Sequence, residues 1–253
     1  MEISDILAVL RHLAPEESAL ENDPIGLLVD RESTEVTKVG VCLDATPATV
    51  ERAMAAGVQL IIAHHPLIYR PLKRLGSDPV SVAVKRLVSS SIALYAMHTN
   101  WDAAPGGIND TLAECLELAD VQPLGTEGLL RLPRLGTLAS PRPLADFARL
   151  VETALSCAET SALRCGGGDP HRMISRVAVC GGAGAELGEA VQAAGADAYV
   201  TSDVRHDQFW DAEARGLALL DAGHGATETP GMRVLVRKLP ALLPWVEVVW
   251  VGD

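Results

Sequence analysis

Two stretches of this chain superpose without a gap. When Gly57 is placed on Gly195, Val39, Val41, Cys42, Ala45, Glu51, Ala55 and Ala56 fall on identical residues at 177, 179, 180, 183, 189, 193 and 194. Such self-similarity means that one supersecondary unit is built twice. In the first copy, Lys38-Val39-Gly40-Val41-Cys42-Leu43-Asp44 reads as a strand and Pro47 to Ala56 as a helix capped by Gly57. Val58-Gln59-Leu60-Ile61-Ile62-Ala63 then reads as a second strand, apolar enough to be buried on both faces of a parallel sheet. The unit is therefore β-α-β, and the fold class is α/β, with two related lobes from an internal duplication.

The ends of these strands carry the chemistry, because ligands of open α/β sheets gather beyond the carboxyl ends of the strands. Ile61-Ile62-Ala63 runs into His64-His65-Pro66, and the proline, which has no N–H to donate, stops the strand with both imidazoles in the loop. A further apolar strand, Ile92 to Met97, ends in His98-Thr99-Asn100-Trp101-Asp102. Pro105, Gly106 and Gly107 place His98 and Asp102 on a loop ahead of a helix starting near Ile108. Placing Ala218-Leu219-Leu220-Asp221-Ala222-Gly223-His224 on Ile92 to His98 sets His98-x-x-x-Asp102 on His224-x-x-x-Glu228. The histidine pair itself is not repeated, since His64 and His65 fall on Ser202 and Asp203. Asp44 lies at the same sheet end as the histidines, where an Asx turn or a helix N-cap is the leading account of it.

His64, His65, Asp102, His224 and Glu228 are imidazole and carboxylate groups with no thiolate among them, a set suited to Zn, Mn, Fe or Ni rather than to a soft metal or calcium. So many groups exceed the needs of one open metal site, and a carboxylate can bridge, so two divalent ions about 3.5–4 Å apart are the inference. Adjacent side chains on an extended backbone point apart, so His64 and His65 serve different ions. The metal site is expected between the two lobes, at the carboxyl ends of the strands.

Composition narrows the partners. A formal charge of -12 argues against a nucleic-acid polymer and against an anionic membrane surface, and an anionic substrate needs a local cation. The five cysteines, Cys42, Cys115, Cys157, Cys165 and Cys180, show no C-x-x-C spacing and read as reduced, mostly buried thiols. No apolar run approaches the roughly 20 residues of a membrane span, and the opening Met1-Glu2-Ile3-Ser4-Asp5 is acidic, so a cytoplasmic protein is expected.

The remaining stretches read as scaffold. Ile6, Val9, Leu10 and Leu13 mark a first amphipathic helix with Ser4 as its cap. Residues 1–122 form the first lobe, 123–170 a short connection with one helix from Leu144 to Leu155, and 171–253 the second lobe. Cys165 to Asp169 is a turn, and Gly181 to Gly184 reads as a βα turn ahead of a phosphate loop. His206 follows Asp203 as a proton shuttle, a substrate contact or a surface histidine. Arg70, Lys73 and Arg205 are solvated loop charges that could meet an anion. Trp245 to Val251 alternates as an edge or interface strand.

Together these motifs carry a family resemblance. Ile62-Ala63-His64-His65-Pro66-Leu67-Ile68, His98 to Ala103 with Gly107-Ile108-Asn109, Gly181 to Gly184, Thr201-Ser202-Asp203, and Asp221 to His224 followed by Thr227-Glu228 resemble the GTP cyclohydrolase I type 2 homologue family, also described as Ngg-interacting-factor-like proteins. The resemblance implies that His65 and Asp102 hold one metal, His64 and His224 the other, that Glu228 bridges both, and that His98 stands close by. It further implies a ring-shaped homohexamer whose metal sites face an interior cavity, and the inserted domain of longer members is expected to be absent. The family's usual Asp-Asn before Gly-Leu is here Asp23-Pro24-Ile25, and Thr-Gly-Asp is Thr201-Ser202-Asp203. A metal-dependent hydrolase acting on a nucleotide or other small anion is the leading expectation, with His98 or His206 moving protons. The competing class is a metal-binding or metal-delivery protein that works through partner contacts.

Overall fold

A computed structural model describes residues 1–156 and 162–252. The chain divides into two compact units. One comprises Met1–Pro105 together with the chain from Met232 onward, and the other is Gly106–Gly231. Both are mixed α/β, each built on one sheet.

The sheet of the first unit contains β1 (Gly26–Val29), β2 (Lys38–Cys42), β3 (Leu60–Ala63), β4 (Ala93–Ala96) and β11 (Glu247–Trp250), in the order β1-β4-β3-β2-β11. Strands β2, β3 and β4 are parallel neighbours, and β3 and β4 are buried along their whole length, as their unbroken apolar runs require. Helix α1 (Ile3–Leu13) is capped at Glu2, so Ser4 lies inside the helix instead of capping it. Helices α2 (Pro47–Ala55) and α3 (Pro79–Ser89) each open with proline at the first helical position, after a side-chain cap from Thr46 and Asp78 respectively. Val50, Ala53, Ile61, Ala83, Leu87 and Leu94 form the core between these helices and the sheet.

The expected loop from His98 to Asp102 is a short helix, α4 (Thr99–Ala103), that starts immediately after His98. It ends at Ala104, just before Pro105, so Pro105 and the two glycines terminate a turn of helix instead of preventing it. Helix α5 (Ile108–Cys115) begins where the sequence places it.

The second unit's sheet holds β5 (Leu118–Pro123), β6 (Arg134–Pro143), β7 (Arg164–Gly166), β8 (Met173–Ala183), β9 (Ala198–Ser202) and β10 (Ala218–Asp221), in the order β5-β6-β8-β9-β10-β7. Residues 123–170 are thus no mere connection: β6 and β7 are sheet strands, and α6 (Leu144–Ala154) covers the sheet with Phe147 and Val151 in its core. Cys165 sits in edge strand β7, and the turn proper is Gly167 and Gly168, both in the left-handed region. Strand β6 pairs with the preceding β5 in an antiparallel hairpin, while its pairing with β8 and that of β7 with β10 join segments distant in sequence.

Val39 pairs with Leu60 in the first unit, and their aligned counterparts Val177 and Ala198 pair in the second. The third strand differs by one residue from the sequence placement, because Ala218 stands opposite Ala198 as Ala93 stands opposite Leu60. Two expected boundaries also move. The break falls at Pro105/Gly106 and not at 122/123, and the C-terminal segment joins the first unit because β11 pairs in parallel with β2, Val248 opposite Val39. It is the edge strand that its alternation suggested.

Cys42 and Cys180 are buried, Cys115 is half-buried and Cys165 is exposed, while Cys157 lies outside the described residues. No helix among the described residues is long and apolar enough to cross a membrane.

If residues 123–170 are integral to the second unit, Phe147→Ala, which empties a fully buried position, destabilises the protein by about 3–5 kcal/mol. Urea unfolding followed by circular dichroism measures it; a change within 0.5 kcal/mol, the usual range for an exposed site, would return the stretch to the status of a linker.

Candidate metal centre

Strand β3 delivers His64 and His65 where the sequence places them. Both backbone amides donate to the carbonyl of Leu43 just past β2, at 3.1 and 3.0 Å, so the histidine pair is tied to the neighbouring strand end. The His64 side chain is fully buried, and its Nδ1 lies 2.8 Å from the Met97 carbonyl oxygen. A carbonyl only accepts, so Nδ1 carries the proton and Nε2 presents a lone pair. Nε2 stands 3.6 Å from Oδ1 of Asp102, a separation beyond hydrogen bonding.

The other histidines repeat this arrangement. His65 Nδ1 is 2.8 Å from Asp44 Oδ1, His98 Nδ1 is 2.8 Å from Asp23 Oδ1, and His224 Nδ1 is 2.7 Å from Asp203 Oδ2. A carboxylate that holds one ring nitrogen of a histidine whose other nitrogen binds a metal is the usual support of such a ligand. In the first unit, one ligand atom from each of His64, His65 and His98 lies within 4.8 Å of the others. Their ring centroids are 5.0, 5.2 and 5.8 Å apart.

His224, in the second unit, opens helix α8 (His224–Leu242), one turn before Glu228. His224 Nε2 is 3.2 Å from Glu228 Oε2, which is buried. With Nδ1 engaged by Asp203, this approach of lone pair to carboxylate calls for a cation, whether a proton or a metal ion. Asp203 adopts a left-handed backbone, φ +54°, tolerated by aspartate better than by most residues. The Asp221 carboxylate accepts from the amides of Val204 and Gly223, both at 3.0 Å, and pairs with Arg164, so one side chain orders the loops that carry Asp203 and His224.

The glycine turn makes room for this pair. Gly182 has φ +65°, and a Cβ placed on it would run into Glu228 Oε1 and come within 3.3 Å of His224 Nε2. The amides of Gly181, Gly182 and Gly184 donate to Asn109 Oδ1, Thr227 Oγ1 and Thr201 Oγ1 at 2.7, 3.0 and 3.0 Å. These donors are committed within the protein, which favours the turn over a phosphate loop.

Asp23 and Asp203 escaped notice as supports. Asp23 is half-buried with its side chain largely covered, and accepts from Thr99 N at 3.1 Å and Thr99 Oγ1 at 2.5 Å as well as from His98. Burial works to raise its pKa, but the hydrogen bonds from His98 and Thr99 outweigh it and hold the carboxyl below its ordinary value. The signal available was its place in the Asp-Pro variant of a family motif, but nothing in the spacing links residue 23 to residue 98. His206, by contrast, is exposed at the start of α7 (His206–Ala214), with its ring 4.9 Å from that of Trp210, and joins no cluster of potential ligands among the described residues.

The protein is thus a mixed α/β protein with His, Asp and Glu groups that could hold a metal. The chain belongs to the Duf34/NIF3 (NGG1p interacting factor 3) family, whose model matches residues 1–251. It is 42% identical over 217 residues to the GTP cyclohydrolase 1 type 2 homolog of Nostoc sp., covering 85% of this chain and 82% of the relative. The Lactococcus lactis protein of the same name is 37% identical, covering 88% and 86%. Among solved structures, the Staphylococcus aureus protein SA1388 superposes with a TM-score of 0.88 at 25% identity, over 100% of this chain and 96% of that one.

Two outcomes follow from the supporting carboxylates. Asp203→Ala weakens metal affinity about 10–100-fold by competition titration while far-UV circular dichroism stays unchanged; undiminished affinity would remove Asp203 from the centre. Asp23→Asn lowers stability by a constant amount above the ordinary aspartate pKa of about 3.9, where wild-type Asp23 is ionised in both folded and unfolded states. The gap to wild type closes as pH falls below about 4, through the depressed folded value. Urea midpoints across that range check it, and a gap that does not narrow in acid refutes the carboxylate's role.

Proposed function

We propose that this chain is a dinuclear metal-binding protein and a metal-dependent hydrolase of the GTP cyclohydrolase I type 2 kind. On this reading His65 and Asp102 would hold one divalent ion and His64 and His224 the second, with the Glu228 carboxylate available to both. The observation that carries it is the uniform use of Nδ1. Four histidines of the two units each engage a carbonyl or carboxylate through Nδ1, and this directs Nε2 to ligand duty. The donor set of imidazoles and carboxylates fits Zn, Mn, Fe or Ni, and the space kept open at Gly182 suits ligands that must not be crowded.

Two such ions supply Lewis acidity and a means of generating a nucleophile from water at neutral pH. The protein's own groups do the rest. His98, beside His64 and His65 and backed by the ionised Asp23, is placed to take up or release a proton. The buried setting of His64, Asp102 and Glu228 limits water around the reacting group and strengthens every charge interaction there. His206, exposed beside Trp210, contributes at most a later proton relay or a substrate contact. A small anion or nucleotide is the expected substrate class, a homohexamer the expected assembly, and the cytoplasm the expected compartment.

The test is metal content by elemental analysis on untagged protein purified without added metal. About two ions per chain are expected in wild type and about one when His64→Ala and His224→Ala are combined. Glu228→Gln is expected to abolish turnover while metal is still bound. A protein that holds no metal, and takes up none on titration with Zn, Mn or Fe, overturns the reading. Undiminished slow hydrolysis in Glu228→Gln leaves metal storage or delivery as the function.

A further inference from the structure

Ser202 ends β9 and is fully buried. Its Oγ has no hydrogen-bond partner among the described residues. A buried hydroxyl has given up its bonds to water, so one that the protein does not satisfy is a cost that folded chains rarely carry.

Register, neighbours and direction all place this hydroxyl at the second unit's candidate ligands. Leu60 stands opposite Val39 and Ala198 opposite Val177, and the same step along the chain from Leu60 and from Ala198 reaches His64 and Ser202. Ser202 thus holds in the second unit the place that a candidate ligand holds in the first. It pairs with Ala183, next to Gly182, whose Cβ position lies 3.3 Å from His224 Nε2 and runs into Glu228 Oε1. The following residue, Asp203, holds His224 Nδ1 at 2.7 Å. Side chains alternate along a strand. Thr201 Oγ1 is committed to the glycine turn, donating to Gly182 O and accepting from Gly184 N, both at 3.0 Å. Ser202 therefore points to the opposite face with Val200, towards the core that also holds Ala222 and Ala226, which flank His224 in the chain.

A serine hydroxyl is not a preferred ligand of Zn, Mn, Fe or Ni, but it donates a short, strong hydrogen bond to an anion. We propose that Ser202 is a specificity-determining residue of the centre: its hydroxyl donates to the small anion bound beside His224 and Glu228, and so selects strong hydrogen-bond acceptors such as fluoride or an oxyanion. The proposal deepens the metal-binding reading, on which it rests for the cation that draws the anion in.

Ser202→Ala tests it in two arms. In metal-stripped protein the urea midpoint is expected to be unchanged or higher, because the hydroxyl makes no bond there for alanine to lose. A lower midpoint gives the hydroxyl a structural partner and overturns the proposal. In cobalt-loaded protein, fluoride, a strong acceptor, and thiocyanate, a weak one, are titrated and followed by the visible absorption of the cobalt. Fluoride affinity is expected to fall about 10–100-fold, while thiocyanate and cobalt affinities stay within about twofold of wild type. A loss shared equally by both anions, or no loss in either, overturns the role of Ser202 and leaves the metal reading standing. Wild-type protein that takes up no cobalt overturns both.

Discussion

The hydrogen bond at Nδ1 of each candidate histidine is the constraint on which the centre depends. An imidazole has two nitrogens and, when neutral, one proton, so whichever acceptor takes the proton decides where the lone pair points. Met97 O, Asp44, Asp23 and Asp203 make that decision for His64, His65, His98 and His224. The fold can be read as a means of bringing each acceptor to its histidine. Parallel pairing of β3 with β4 brings the Met97 carbonyl to His64, and pairing of β2 with β3 brings Asp44 to His65.

The two units reach the same kind of arrangement by different residues. In the first, two consecutive histidines leave β3, and a third caps the short helix after β4. In the second, the strand end equivalent to His64-His65 is Ser202-Asp203, and Asp203 has become the support of His224. The β-α-β register is common to both, but the strand ends differ, a histidine pair in one unit and a serine followed by the acceptor of His224 in the other. Glycine at 182 completes the second arrangement by leaving out the Cβ that would displace Glu228.

Charge follows the same economy. The chain is strongly acidic, yet its candidate ligands include buried carboxylates, Asp102 and Glu228, which are costly to ionise away from water unless a cation or a donor answers them. The exposed Arg70, Lys73 and Arg74 form a local exception to the acidic surface, and they lie on the segment that follows the histidine pair.

Much of this was legible in the residues alone. Short apolar runs marked β3 and β4 because parallel strands buried on both faces need no polar alternation, and the gap-free repeat placed a second β-α-β unit with its pairing register. His64, His65, His98, Asp102, His224 and Glu228 stood out because strand ends and helical spacing are local features. What the sequence could not decide were pairings between distant segments: β6 and β7 joining the second sheet, β11 returning to β2, and Asp23 meeting His98. Those contacts depend on backbone hydrogen bonds and packing across long stretches of chain, and any strand or aspartate offers the same groups to many partners. Local order was therefore determined by the sequence itself, while the tertiary structure alone decided which acceptor holds each histidine, and with it which nitrogen is left to bind.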